Sequence, residues 1–120
     1  MSGLTVVIGA SENTSRYAQM AIRSLLNHNE PVKAVGLKDG EVYGVKIHGD
    51  RPHFDNVETI TLYVGPQHQP AWYDYIISLK PKRVICNPGT ESEELNELCR
   101  KNGIEVVQAC TLVMLSIGNY

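Results

Sequence analysis

Polar residues suited to phosphate binding directly follow the first apolar segment of the chain. The segment Leu4–Ile8 is mostly β-branched, which predicts a strand buried on both faces, and Gly9, Ala10 and Ser11 come next. A turn between a strand and a helix N-terminus leaves backbone N–H groups without partners, and the helix dipole favours an anion there. We therefore predict that these three residues face a diphosphate. Alternatively, Gly9 only makes a sharp turn.

The end of the second predicted strand favours a phosphate carried by a ribose. This strand runs out into Gly36, Leu37 and Lys38, where NAD-binding domains usually carry an acidic residue that accepts hydrogen bonds from ribose hydroxyls. A cation suits the ribose phosphate of coenzyme A or NADP instead. Two alternatives are that Asp39 takes the acidic role, if the strand ends one residue later, and that Lys38 is a solvated loop residue. The first loop also departs from the G-x-G-x-x-G fingerprint, since only Gly9 matches.

The cysteines and histidines show no spacing typical of a disulfide framework or a metal site. Cys86 and Cys99 are predicted to lie in the core. Cys110 follows the last predicted strand, where a ligand thiol could reach it and form a mixed disulfide; the alternative is an inert, buried side chain. Ser11 lacks the G-x-S-x-G turn of a nucleophilic serine. We therefore predict no catalytic residue and no metal.

Alternating strands and helices must position these loops. The apolar periods predict strands at 4–8, 31–36, 45–48, 59–64, 82–86 and 104–107, with helices at 15–28 and 70–79, a third that ends at Asn102-Gly103, and a short terminal one at 111–117. The segment 38–58 has no helical period, and we expect a turn at 52–57 in place of a helix. The result is one domain spanning 1–120, a three-layer α/β/α sandwich with a Rossmann-like parallel sheet of about five strands.

Several residues predict where the helices begin and which side faces the core. Asn13, Thr14 and Ser15 are competent N-caps of the first helix, and Thr90 and Glu93 have the spacing of a capping box for the third. The residues predicted to face the core are Ala18, Ala21, Ile22, Leu25 and Leu26 in the first helix and Trp72, Tyr73, Ile76 and Leu79 in the second.

The composition is that of an ordinary globular protein, with 42% hydrophobic and 20% charged residues. The net charge of −2 argues against binding to nucleic acid or to a membrane surface, since both rely on an excess of basic residues. A phosphate must therefore be bound by local geometry. We find no signal peptide or membrane-spanning run and expect a cytoplasmic protein, which could form a homodimer.

Short motifs along nearly the whole chain occur together in one known family. They are Val7-Ile8-Gly9-Ala10-Ser11-Glu12-Asn13 with Arg16-Tyr17, then Lys38, Gly44-Val45-Lys46, Asn87-Pro88-Gly89-Thr90-Glu91, and Gly103-Ile104-Glu105-Val106-Val107. As a set, they resemble the small bacterial CoA-binding domain proteins. These are stand-alone relatives of the CoA-binding domain of the succinyl-CoA synthetase alpha subunit.

The resemblance implies that coenzyme A lies in the crevice beside the first strand. It implies a diphosphate at Gly9, Ala10 and Ser11, with Arg16 and Tyr17 nearby, Lys38 at the ribose phosphate, and Val64, Gly65 and Pro66 along the adenine or pantetheine path. Loops at the same edge add four more candidate binding residues: Asn87, Pro88, Gly89 and Cys110.

The expected function is binding of coenzyme A or acyl-CoA without catalysis. In succinyl-CoA synthetase, catalysis needs a phosphohistidine and a grasp-type partner, and both lie outside this domain. One alternative is an NAD(P)-binding domain of oxidoreductase or redox-sensing type, which the missing glycines and the missing acid disfavour. Another is an interaction module whose crevice is vestigial.

Overall fold

The computed structural model describes residues 3–13 and 16–120. The strands are β1 (Leu4–Ile8), β2 (Val32–Val35), β3 (Gly40–Val42), β4 (Val45–His48), β5 (Val57–Leu62), β6 (Arg83–Cys86) and β7 (Glu105–Gln108). The helices are α1 (Arg16–Asn27), α2 (Tyr73–Leu79), α3 (Glu93–Lys101) and α4 (Thr111–Ser116), and a 3₁₀ helix at Gln69–Trp72 leads into α2. Within the described ranges, no helix is both long and apolar enough to cross a membrane.

One sheet runs through the molecule in the order β3-β4-β2-β1-β5-β6-β7. All neighbouring strands are parallel except β3, which is antiparallel to β4. The predicted parallel α/β sheet is confirmed, but it has seven strands rather than about five. The unpredicted strand β3 belongs to a hairpin whose two turn residues, Tyr43 and Gly44, both have positive φ angles, as a tight hairpin of this kind requires.

Helices cover both faces of the sheet. On one face, Val7, Ala34 and Ile47 pack against α1 and α4; on the other, Ile60 and Leu62 belong to the core that α2 and α3 cover. Apolar residues of β1 therefore pack on both faces, as a central parallel strand requires. The predicted inner residues of α1 and α2 are confirmed with one clear exception. Leu26 is 39% exposed and does not belong to the core cluster that α1 forms with the sheet.

Two of the boundaries that differ from prediction change the loops beyond the strands. The strand predicted at 59–64 is β5, Val57–Leu62, so Tyr63 and Val64 belong to the loop beyond it. The N-cap of α3 is Ser92, whose hydroxyl accepts a hydrogen bond from the Leu95 N–H at 3.3 Å. The predicted cap, Thr90, instead donates its hydroxyl to the Asn87 carbonyl at 2.8 Å. This bond closes the turn after β6 and displaces the helix start by two residues.

Candidate functional site

Three central strands end together at one edge of the sheet. Ile8 of β1 pairs with Val35 of β2 on one side and with Leu62 of β5 on the other. A cavity of about 580 Å³ lies just beyond these ends, lined by residues 9–13, 37–39 and 63–65. Side chains from elsewhere complete the lining: Ile47, Arg51, His68, Ala71 and Trp72. The cavity therefore lies where parallel sheets usually bind ligands.

The predicted site residues fall into two groups. Six of them line the cavity: Gly9, Ala10, Ser11, Lys38, Val64 and Gly65. The cavity lining does not include the other seven: Arg16, Tyr17, Pro66, Asn87, Pro88, Gly89 and Cys110. The structure thus brings together the ends of β1, β2 and β5, while the loops after β6 and β7 stay outside the cavity. Ligand contacts at this second group stay a prediction.

Glycines let the strand ends approach one another closely. Gly9 has a φ of +101°, and a Cβ atom there would lie 2.9 Å from the Tyr63 carbonyl oxygen. A Cβ atom on Gly36 would overlap the carbonyl oxygen of Ala10. Both positions therefore need glycine, because a side chain at either one would push apart the loops that follow the strands at the cavity.

The backbone of the first loop is paired more fully than predicted. The N–H groups of Gly9 and Ala10 both donate to the Val35 carbonyl oxygen, at 2.9 and 3.1 Å. The prediction that these two amides are unpaired is therefore wrong. The reason is that hydrogen bonding between β1 and β2 continues past the last assigned residue of each strand.

Side chains fix the rest of this loop. Gln19 on α1 donates its amide to the Ser11 carbonyl at 2.7 Å and to the Glu12 carbonyl at 2.9 Å. The Ser11 hydroxyl accepts a hydrogen bond from the Asn13 N–H at 3.1 Å. The loop is therefore held against the first turns of α1. Of the predicted N-caps, Thr14 and Ser15 lie outside the described residues.

Two carboxylates at the cavity hold neighbouring backbone. A Glu12 carboxylate oxygen accepts a hydrogen bond from the Glu41 N–H at 3.1 Å, and Asp39 Oδ1 accepts one from the Gly49 N–H at 2.8 Å. A Cβ atom on Gly49 would lie 2.7 Å from the Cα atom of Lys38. The chain that leaves β4 thus passes directly against the predicted ribose-phosphate residue.

Arg51 is a cavity residue that the sequence did not reveal. Its guanidinium carbon lies 3.7 Å from the centre of the Trp72 ring, and its Nη1 donates to the Ala71 carbonyl oxygen at 2.6 Å. Both partners lie some twenty residues further along the chain, so no local pattern predicts these contacts. The prediction that Trp72 packs in the core is confirmed, since it is 3% exposed.

Asn87 connects three elements beside the cavity. Its Nδ2 donates to the Thr61 hydroxyl at 2.8 Å and to the Leu62 carbonyl at 3.0 Å. Its Oδ1 accepts a hydrogen bond from the Thr111 N–H at 2.9 Å. Because this side chain is buried and its two N–H donors are both used, its evident role is to join β5 and β6 to the start of α4.

The buried cysteines behave as predicted core residues. Cys86 and Cys99 are buried, and burial raises the pKa of both thiols, that of Cys86 to about 11. Cys110 is half-buried at the N-cap position of α4, and all three thiols are free. Burial also raises the pKa of the cavity residue Tyr63 to about 12. Within residues 3–13 and 16–120, no group of three or more His, Cys, Asp or Glu side chains could hold a metal ion.

Solved structures share this fold. A crystal structure of an uncharacterized protein is 51% identical, with a TM-score of 0.94, and the match covers 100% of this chain and 99% of that one. A protein of Thermus thermophilus, cell-free ID.343, is 21% identical with a TM-score of 0.85, and the match covers 99% of this chain and 91% of that one.

A larger protein contains the same fold as one part. It is a dinucleotide forming acetyl-coenzyme A synthetase 1 from Ca. Korarchaeum cryptofilum, 20% identical with a TM-score of 0.71, and the match covers 88% of this chain but 25% of that one. A comparison with curated proteins gave no match. The model of one protein family, described as a CoA binding domain, matches residues 4–116. The chain therefore belongs to the CoA binding domain family.

Proposed function

We propose that the protein binds coenzyme A or an acyl-CoA in the cavity at the carboxyl ends of β1, β2 and β5. The observation that carries this proposal is the position of that cavity: in a member of the CoA binding domain family, it lies at the sheet edge where nucleotides usually bind. Its volume of about 580 Å³ also falls in the usual range for small-molecule sites.

The residues around the cavity fit the two halves of the ligand. Lys38 and Arg51 supply positive charge for phosphates, and Val64 supplies apolar surface for the pantetheine arm or the adenine. Leu37 also lines the cavity and is 84% exposed. An apolar side chain this exposed at the rim of a cavity is suited to contact a bound ligand.

The diphosphate is proposed to lie against the loop 9–13, and the ribose phosphate near Lys38. Because the Gly9 and Ala10 amides are engaged by Val35, the loop contributes mainly through residues 11–13, which line the cavity just before α1. The positive end of this helix favours an anion there. The Lys38 side chain is exposed, so its ammonium group can reach a ligand without displacing any core contact.

Binding without catalysis is part of the proposal. The Glu12 and Asp39 carboxylates, which would be candidate general bases, each hold the backbone of a neighbouring segment. We expect acetyl-CoA incubated with the protein to be recovered unchanged by liquid chromatography. Turnover above the rate in buffer, abolished by a cavity substitution, would contradict this part of the proposal.

Ligand binding should stabilise the fold and alter the fluorescence of the protein. Free coenzyme A at one hundred times its Kd should raise the free energy of unfolding by about 2.7 kcal/mol, which thermal unfolding measures. Trp72 is the only tryptophan of the chain and lies in the cavity wall, so its emission should change in the same titration.

Titrations with NADH and NADPH provide the control for this measurement. We expect both nucleotides to bind more weakly than coenzyme A, because the chain belongs to the CoA binding domain family. In addition, Asp39, the acidic residue that could accept hydrogen bonds from the ribose hydroxyls of NADH, is already bound to the Gly49 amide. Tight binding of either nicotinamide nucleotide would support the oxidoreductase-type alternative. If none of these ligands changed the thermal unfolding or the fluorescence of the protein, the proposed function would be contradicted and an interaction module favoured.

A further inference from the structure

Positive charge near the first loop is scarcer than a bound diphosphate requires. The Gly9 and Ala10 amides donate to Val35 rather than to the cavity. The cavity lining also includes the carboxylates Glu12 and Asp39, which repel phosphate. Lys38 can balance one anionic group, and we have assigned it to the ribose phosphate. Arg16, the cation predicted near the diphosphate, is not part of the cavity lining, so a diphosphate at the first loop needs a second cation from within the cavity.

Arg51 is held in a position to supply that cation. Its guanidinium group rests 3.7 Å above the Trp72 ring and donates one hydrogen bond to the Ala71 carbonyl oxygen. A guanidinium group carries five N–H donors, so several are left for a ligand. Because stacking on an aromatic ring already restricts the side chain, little further conformational entropy is lost when a phosphate binds.

The order of the strands places the two cations on opposite sides of the first loop. Lys38 follows β2, whereas the Arg51 guanidinium is fixed to Ala71 and Trp72, in the 3₁₀ helix that follows β5. In the sheet, β1 lies between β2 and β5. The two cations therefore approach a ligand on the β1 loop from different directions and can bind different anionic groups.

We propose that Arg51 binds the diphosphate of the coenzyme and that Trp72 is the residue that positions it. This inference rests on the proposed function and adds that two different cations recognise two different phosphate groups of the coenzyme. Lys38 recognises the ribose phosphate, which is absent from dephospho-CoA, and Arg51 recognises the diphosphate, which both coenzyme A and dephospho-CoA carry.

Calorimetric titration of Arg51→Ala tests this assignment. We expect the variant to bind coenzyme A and dephospho-CoA about tenfold to a hundredfold more weakly than wild type, with equal losses for the two ligands. Binding of adenosine 3′-phosphate, which lacks the diphosphate, should not change. Arg51→Lys should recover part of the affinity, because it keeps the charge without the planar stack.

Arg23→Ala is the matched control. Arg23 also lies over an aromatic ring, that of Tyr43 at 5.9 Å, but it is exposed on α1 and is not part of the cavity lining. Its substitution should leave both affinities within twofold of wild type. Thermal unfolding of each variant without ligand checks that the fold is retained.

A double-mutant comparison tests whether Trp72 acts on the ligand through Arg51. Trp72→Phe should weaken coenzyme A binding in the wild-type background but have no further effect in the Arg51→Ala background. A purely structural role would give the same loss in both backgrounds, and that result would overturn the assignment of Trp72.

Three outcomes contradict the inference about Arg51. An unchanged affinity in Arg51→Ala, with normal binding by wild type, overturns the inference alone. A loss confined to coenzyme A, with dephospho-CoA unaffected, places Arg51 at the ribose phosphate and also overturns it. Wild-type protein that binds neither coenzyme overturns the proposed function, and the inference with it.

Discussion

Lys38→Ala is expected to bind coenzyme A about tenfold to a hundredfold more weakly than wild type while binding dephospho-CoA almost equally well. A hydrogen bond to a charged group contributes roughly 1.5–3 kcal/mol, which corresponds to this range of affinity. Lys38 lines the cavity, and the only phosphate that distinguishes the two ligands is the one on the ribose. Calorimetric titration of both ligands measures the difference directly.

The matched control for this substitution is Lys33→Ala. Lys33 is an exposed lysine of β2, five residues before Lys38, and it is not part of the cavity lining. The Lys33→Ala substitution should leave the affinities for coenzyme A and dephospho-CoA unchanged. This control separates a local contact from the general effect of removing one positive charge. Equal losses for the two ligands in Lys38→Ala would show that Lys38 does not recognise the ribose phosphate.

Asn87→Ala is expected to destabilise the fold by about 3 kcal/mol. The substitution removes the side-chain partner of the Leu62 carbonyl and of the Thr111 N–H, and one of the two partners of the Thr61 hydroxyl, which keeps its hydrogen bond to the Thr111 hydroxyl. A buried polar group left without a partner costs about 1–3 kcal/mol. The losses add incompletely because the three groups are neighbours. For a chain of this size, the melting temperature should fall by roughly 10 °C in thermal unfolding.

Asn27→Ala controls for the loss of an asparagine as such. Asn27 is exposed at the last residue of α1, and its substitution should change the stability by no more than about 0.5 kcal/mol. If Asn87→Ala were as stable as this control but bound coenzyme A far more weakly, Asn87 would be a ligand contact rather than a connector of strands.

The elements with a clear apolar period could be predicted from the sequence. The bounds predicted for the first strand, α1 and β2 are close to those observed, because a continuous apolar run and a helical stripe each have a distinct signature. The strand β3 could not be predicted because its hairpin turn is Tyr43-Gly44, and tyrosine is not one of the residues expected at a positive φ angle.

The site was only partly predictable, for reasons that lie in long-range geometry. Gly9 and Lys38 follow strands directly, so their position at the ligand edge can be inferred from chain order. Whether the Gly9 and Ala10 amides are free depends on how far β2 extends beside β1, which the sequence of β1 does not specify. Arg51 enters the cavity through contacts with a distant 3₁₀ helix.

A crystal structure of the protein with coenzyme A tests the central claim most directly. The account predicts that the coenzyme occupies the cavity beyond β1, β2 and β5, with its ribose phosphate within hydrogen-bonding distance of the Lys38 ammonium group. A cavity that stays empty at saturating coenzyme, or a coenzyme bound at another surface, would contradict it.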